Sequence, residues 1–299
     1  MKILCIGQST YDITLPIEEY PEENKKYKIK KVEGCGGGSS NNTAYLLALW
    51  GKKVFLASPI GKDEYGKKIL NELHTVGVNT TFFEERKDIN TTVSYIINNM
   101  SNGSRTIITS KNPLMEFSKD KKIDIKPDMI IFDGNDYEKA IEVINNNPQA
   151  IKIIDAGGLK DETVKLCKLC DYVVCSNDFA REYTKIDFNY TETDKLEKVY
   201  DILEKDFKGK IVITLEAFGS MTKIKGNYIT VPSIPVKSID STGAGDIYHG
   251  AFAYFISEGY SLLKTMYYSN IAGALSVTKI GSKNSMPKLD EVLNYHELW

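Results

Sequence analysis

The 299-residue sequence predicts an α/β fold: a central, mostly parallel sheet covered by helices on both faces, with a small β-sheet lid beside it. Three observations carry this. Short β-branched runs alternate with helical patterns through most of the chain, which is the rhythm of βαβ units. Two stretches, Asp12 to Cys35 and Asn90 to Thr109, break that rhythm with strand patterns that no helix separates. From Asp240 onward the chain turns largely helical.

The alternation begins with the strand "KILCIG" and the helix "NNTAYLLALWG", then "KVFLAS" and "EYGKKILNELHTVG". It resumes with "MIIFDG", "EKAIEVINNN", "AIKIIDAG", "TVKLCKLC", "DYVVCS", "KLEKVYDILEKDF" and "KIVITL". In the first interruption "KYKIKKVEG" alternates at the strand period, and in the second "TTVSYIIN" and "RTIIT" flank a turn. Parallel neighbours need long crossovers, so these strands are expected outside the main sheet, as a lid formed by about 12–35 and 90–109. Three helices close the chain: "GAGDIYHGAFAYFISEG", "SLLKTMYYSNIAGALSVTK" and the Pro287-started "KLDEVLNYHEL". The whole of 1–299 is read as one domain.

Lys and Arg total 38 against 40 for Asp and Glu, a formal net charge of -2 with no long basic run, so nucleic-acid binding has little electrostatic support. No apolar run approaches the roughly 18 residues of a membrane span, and Met1-Lys2 leads straight into a strand. A cytoplasmic protein without a signal peptide is therefore expected. Five cysteines show no disulfide spacing, and "CKLC" at 167–170 reads as two buried helical thiols, since no second pair or nearby histidine completes a zinc site.

The chemistry concentrates in "IDSTGAGDIYHGAF", Ile239 to Phe252. Amides at a helix N-terminus lack intrahelical partners, and the dipole is positive there. Gly243, Ala244 and Gly245 in front of a helix thus form a cradle for an anion such as phosphate. Asp246 reads either as an ordinary first-turn acid or as a base that takes a proton from a hydroxyl attacking phosphorus. His249, one turn later, reads as packing or a local hydrogen bond, because a base is already present. "GKDEYGKK" nearly spells a P-loop but ends in Lys68 instead of a hydroxyl residue, and no G-x-G-x-x-G follows the first strand.

"DSTGAGD" followed by "HGAF" resembles the signature of the ribokinase-like (PfkB) carbohydrate kinases, and "GGSSNNTAYLLALWG", Gly37 to Gly51, is similar to that family's N-terminal signature. "IGKDEYG", "TLEAFG" and "SVTKIGSKNSMP" extend the likeness over nearly the whole chain. The resemblance implies a ribokinase-like fold, ATP and Mg²⁺ as cofactors, and K⁺ beside the anion hole. It implies Asp246 as general base, the N–H groups of Gly243 to Asp246 as the anion hole, and Asp12, Gly38 and Asn42 as sugar ligands. Asn42 also reads as a plain helix-start asparagine. For the nucleotide it implies Asn177, Thr214, Gly219 and Asn270, the last of which also reads as a polar residue on an exposed helix face. Asp240, Thr242, Gly281 and Ser285 match the cation loops. Such lids often pair between subunits, so a homodimer is implied.

The chain departs from its pattern where an Asn-x-x-Glu motif usually organises the magnesium waters: "CSNDFAREY" keeps Asn177 but has Ala180 in the Glu position, with Asp178 and Glu182 as the nearby acids. "TLEAFG" has Glu216 where glycine is common. With "NNMSNGSRTII" and "FDGND", these departures resemble the ketohexokinase and sulfosugar-kinase side of the family, which implies a ketose-like or furanose acceptor. Arg105, in the lid turn, reads as solvated or as reaching an anionic group of the substrate. A nucleoside kinase of the same fold, or a sugar- or nucleoside-binding regulator that has lost catalysis, is the alternative.

Overall fold

The computed structural model describes residues 1–295; the end of the last expected helix, from His296, lies outside the described residues. The chain runs β1 (Lys2–Ile6), β2 (Thr10–Ile17), β3 (Glu33–Gly37), α1 (Ser39–Leu49), β4 (Lys53–Ala57), β5 (Pro59–Gly61) and α2 (Glu64–Thr75). It continues through β6 (Glu84–Arg86), β7 (Val93–Asn99), β8 (Arg105–Ser110), β9 (Met129–Phe132), α3 (Tyr137–Asn146), β10 (Ile151–Ala156), α4 (Asp161–Cys167) and β11 (Tyr172–Ser176). Then follow α5 (Asn177–Thr184), α6 (Thr193–Asp206), β12 (Lys210–Thr214), β13 (Ser220–Ile224), β14 (Asn227–Val231), α7 (Ala244–Ser257), α8 (Leu262–Ser276) and α9 (Leu289–Leu293).

The main sheet has the order β14-β13-β12-β11-β10-β9-β1-β4 and is parallel from β12 to β4. Its central strands are apolar runs rather than alternations because both faces are covered. One core packs α1, α2, α7, α8 and α9 on one face, and a second packs α3 to α6 on the other. Helix α7 is apolar nearly all round, with nine consecutive residues from Ile247 to Phe255 buried, which suits its place inside the first core.

The hairpin β13–β14 extends the sheet antiparallel and was not expected from the sequence. Its two-residue turn, Lys225-Gly226, has positive φ at both positions (51° and 82°), the geometry whose twist matches flanking strands. A Lys-Gly pair inside "TKIKGNYITV" is a weak signal for it.

The second sheet, β3-β2-β7-β8, is made of the two stretches that interrupt the βαβ rhythm. Its boundaries are narrower than the alternation suggested: residues 18–32 form no strand, and pairing begins at Glu33. An alternating pattern becomes a strand where its apolar side finds something to cover, and Tyr27 remains 46% exposed. The two thiols also divide: Cys167 closes α4, whereas Cys170 lies beyond the helix, with burial pushing both thiols upward.

Candidate active site

Two helices begin at one point above the carboxyl ends of the parallel strands, where open α/β sheets place their ligands. At the start of α1, Gly38 has φ 92°, and a Cβ there would stand 2.5 Å from the Gln8 carbonyl oxygen. The Asp133 carboxylate fixes this turn by accepting the amides of Gln8 (2.7 Å) and Ser40 (3.3 Å). At the start of α7, Gly243 has φ 76° and its missing Cβ would meet the Ser282 Cβ at 2.8 Å, while a Cβ on Gly245 would stand in open space. The cradle is therefore closed behind and open in front. Within its first turn the Ala244 amide turns back to the Ser241 carbonyl (3.3 Å), leaving the amides of Gly245 and Asp246 for an anion.

The two helix starts are tied by the Asn42 amide, which donates to Asp246 Oδ2 at 2.6 Å, and by the Thr43 hydroxyl, which donates to the Asp246 carbonyl at 3.3 Å. Asp246 is half-buried at the open edge. Asn42 is buried, and its Oδ1 has no donor among the described residues, so an acceptor oxygen waits beside the carboxylate.

Asp12 reaches the same pocket from β2. The Thr10 hydroxyl donates to it at 2.8 Å, and its carboxylate fills the space in which a Cβ on Gly37 would lie. Burial, with the Asp246 charge adding to it, pushes Asp12 up to about 6 against the pull of the Thr10 and Ser94 hydroxyls and Lys283.

Lys283 was not singled out in the sequence, although it stands two residues past Gly281 in a stretch that was. Its ammonium donates to Asn41 Oδ1 (2.6 Å) and lies 4.5 Å from the centre of the Tyr45 ring. Burial pushes it down to about 8, opposed by Glu72, Cys35, Asp246 and Asp12. Glu72 in turn accepts the Gly36 amide at 3.1 Å.

Of the remaining candidates, Asn177 and Thr214 stand at the ends of β11 and β12, and Gly219 and Asn270 meet at the Val231 carbonyl. Thr214 pairs in register with Ser176 and its hydroxyl donates to the Cys175 carbonyl at 3.4 Å. Gly219 has φ 102° and packs so closely that a Cβ would lie 2.1 Å from the Val231 carbonyl oxygen. Asn270 is buried, not on an exposed face, and its amide staples α8 to the carbonyls of Val231 (2.9 Å) and Pro232 (3.3 Å).

Asn177 is buried and donates to the Tyr190 hydroxyl (2.7 Å) and to Glu216 Oε1 (3.4 Å). Ala180 is fully buried in the second core. Asp178 pairs with Arg181 at 3.5 Å, so Glu216 is the acid brought to Asn177. Glu216 holds φ 52°, a conformation uncommon outside glycine.

The two loops expected to hold a cation are joined by Asp240, which accepts the Thr242 amide on Oδ1 and the Gly281 amide on Oδ2, both at 2.9 Å. The Ser285 hydroxyl donates to the Ser282 carbonyl (3.2 Å). The buried Thr242 hydroxyl has no partner among the described residues, an orphan oxygen that suits a hard cation. The small sheet meets the first loop: Asn98 donates to the Ile239 carbonyl (3.5 Å), and the Arg105 guanidinium donates to the Ser241 hydroxyl (2.5 Å).

Gly243→Val is expected to disturb both packing and catalysis. The left-handed conformation costs a residue with a Cβ roughly 1–2 kcal/mol, and the Ser282 contact must also open. A lowered melting temperature together with a loss of turnover larger than that loss of folded protein checks this.

The model of the pfkB family carbohydrate kinases matches residues 1–289. The chain is 25% identical to the ribokinase of Bacillus subtilis (strain 168) across 98% of each protein, and 23% identical to the deoxyribokinase of Salmonella typhi across 100% of this chain and 99% of that one. Among solved structures, the ribokinase of Thermotoga maritima matches with a TM-score of 0.78 and 25% identity over 97% of each chain. The Arabidopsis thaliana ribokinase complexed with ribose and ATP matches with 0.76 and 20%, again over 97% of each chain. The chain belongs to the pfkB family of carbohydrate kinases. It is an ATP-dependent phosphotransferase with an alcohol group as acceptor. No described helix is long and apolar enough to cross a membrane.

Proposed function

We propose that this kinase transfers the γ-phosphoryl group of ATP to a primary hydroxyl of a ketose-like or furanose sugar. The observation that carries the reading is the meeting of two helix N-termini at Asp246, where one contact of 2.6 Å joins the candidate base to an acceptor-side amide beside open backbone N–H groups. The Asp246 carboxylate takes the hydroxyl proton as that oxygen bonds to the γ-phosphorus. The bond from the γ-phosphorus to the bridging oxygen breaks, and ADP leaves.

Asp12, the free Oδ1 of Asn42 and the Gly38 turn receive the sugar hydroxyls. The names of the relatives, ribokinase and deoxyribokinase, support a sugar that forms a furanose ring. Thr214, Gly219, Asn177 and Asn270 frame the nucleotide. Mg²⁺ bound to ATP neutralises phosphate charge, and Asn177 with Glu216 stands in for the missing Glu at 180. K⁺ fits the loops of Asp240, Thr242, Gly281 and Ser285, with the Thr242 hydroxyl as the oxygen left for it.

Residues 1–299 act as one kinase domain in the cytoplasm, with the small sheet as a lid that excludes water. Strand β8 is an exposed edge carrying Ile107 and Ile108, so a second lid covers it in a homodimer.

ADP release, measured with ATP and Mg²⁺ across ketoses, aldoses, their acids and nucleosides, tests the reading. Turnover on a furanose-forming sugar is expected. Turnover confined to nucleosides assigns a nucleoside kinase, and binding without turnover on any of them assigns a regulator.

A further inference from the structure

His249 is unused by the chemistry above, yet it is buried directly beneath the anion cradle. Its Nδ1 lies 2.6 Å from the Gly245 carbonyl oxygen, and its Nε2 lies 3.2 Å from the Val174 carbonyl oxygen and 3.3 Å from Asp155 Oδ1. A carbonyl oxygen can only accept. Nδ1 therefore carries a hydrogen for Gly245, and Nε2 faces the Val174 carbonyl and the Asp155 carboxyl, with one proton between ring and acid.

The charged groups around it are Asp155 on β10, Asp246 on its own helix and, beyond Asp155, Asp133 after β9; the Tyr248 ring lies 5.9 Å away. Burial pushes Asp155 up to about 7, with Asp246 and Asp133 adding to the rise and His249 opposing it. The proton shared by this pair is thus held in a dry site.

The Gly245 carbonyl and the Asp246 amide belong to one rigid peptide plane and point in opposite directions. Gripping the oxygen from below aims the N–H upward, into the cradle. The grip adds to the bonds of α7, whose first turn contains this peptide, at the place where the helix has the fewest of them.

We infer that His249 is a positioning residue for phosphoryl transfer: its ring, held from behind by Asp155 and the Val174 carbonyl, locks the Gly245–Asp246 peptide toward the transferring phosphate. This rests on the reading of Asp246 and its cradle given above. Filling space would not require it, since an apolar side chain of similar size needs no buried carboxylate, and a buried ion pair is a poor source of stability.

The test compares His249→Leu, His249→Asn and Asp155→Asn with the unaltered protein. Thermal melting selects the folded variants, and the Asn variants carry the comparison if Leu does not fold. His249→Leu is expected to lower kcat about 10- to 100-fold, the scale of a lost partner that orients a functional group, with the sugar KM nearly unchanged. His249→Asn, which can still donate to Gly245, recovers part of the loss.

Asp155→Asn, which leaves the ring its Gly245 contact but removes the carboxylate behind it, lowers kcat less than His249→Leu and also leaves the sugar KM nearly unchanged. In titrations without acceptor, ATP binds His249→Leu more weakly while adenosine, which lacks phosphates, binds equally. Folded His249 variants with unaltered kcat and ATP affinity overturn the inference and leave the kinase reading standing. If the unaltered protein phosphorylates nothing, that reading fails separately, and the ATP and adenosine titrations still decide the role of His249.

Discussion

Asp246→Asn lowers kcat by about 10² to 10⁴, the usual contribution of a positioned base, and leaves ATP affinity nearly unchanged. The substitution keeps the size of the side chain, and an amide oxygen can still accept from Asn42, so the bond of 2.6 Å between the two helix starts survives. The cradle amides are backbone and remain in place. What disappears is the basic oxygen proposed to take the hydroxyl proton. Steady-state kinetics with saturating sugar, together with a nucleotide titration, measure the two halves of this expectation, and near-normal turnover removes Asp246 as the base.

Asp12→Asn separates binding from stability, and the two move in opposite directions. Hydrogen bonds to a charged group contribute about 1.5–3 kcal/mol each, so losing the carboxylate raises the sugar KM by roughly 10- to 100-fold. The folded protein, however, holds Asp12 up at about 6, above the ordinary carboxylate value, because the site is buried and faces Asp246. A raised pKa means that the folded state binds the proton more tightly than the unfolded chain does. The stability this supplies is present below the ordinary carboxylate pKa and is lost as pH rises through about 6. Asp12→Asn therefore melts higher than the unaltered protein at pH 8, and the difference shrinks toward pH 4. The sugar KM of the unaltered protein rises as pH falls below about 6, where Asp12 becomes protonated. A variant that melts lower at pH 8 shows that Asp12 is held for stability and not for the acceptor.

The parallel sheet was legible because each of its strands is a short apolar run followed by an amphipathic helix, a pattern that burial on both faces requires. The cradle was legible because glycines before a helix have a definite electrostatic meaning. Lys283 was not, since a single lysine in a loop looks the same whether it is solvated or folded in beside Asn41, Glu72 and Asp12. Glu216 was noticed as a departure, but its approach to Asn177 depends on a turn from another strand. The same holds for His249: its spacing placed it one helical turn after Asp246, whereas its carbonyl partner on β11 and carboxylate on β10 come from the fold.

Asn42 and Asp246 are 204 positions apart, and their contact joins the first helix of the chain to the seventh. A ribosome making this protein releases Asn42 long before the segment carrying Asp246, and Lys283 beside Asn41 comes later still. A chain that stops before α7 lacks both the partner of Asn42 and much of the core that α1 packs into. Phosphorylating activity thus arrives all at once, with the last third of the polypeptide in place, and specific activity in a preparation reports directly on the fraction of molecules that have finished folding.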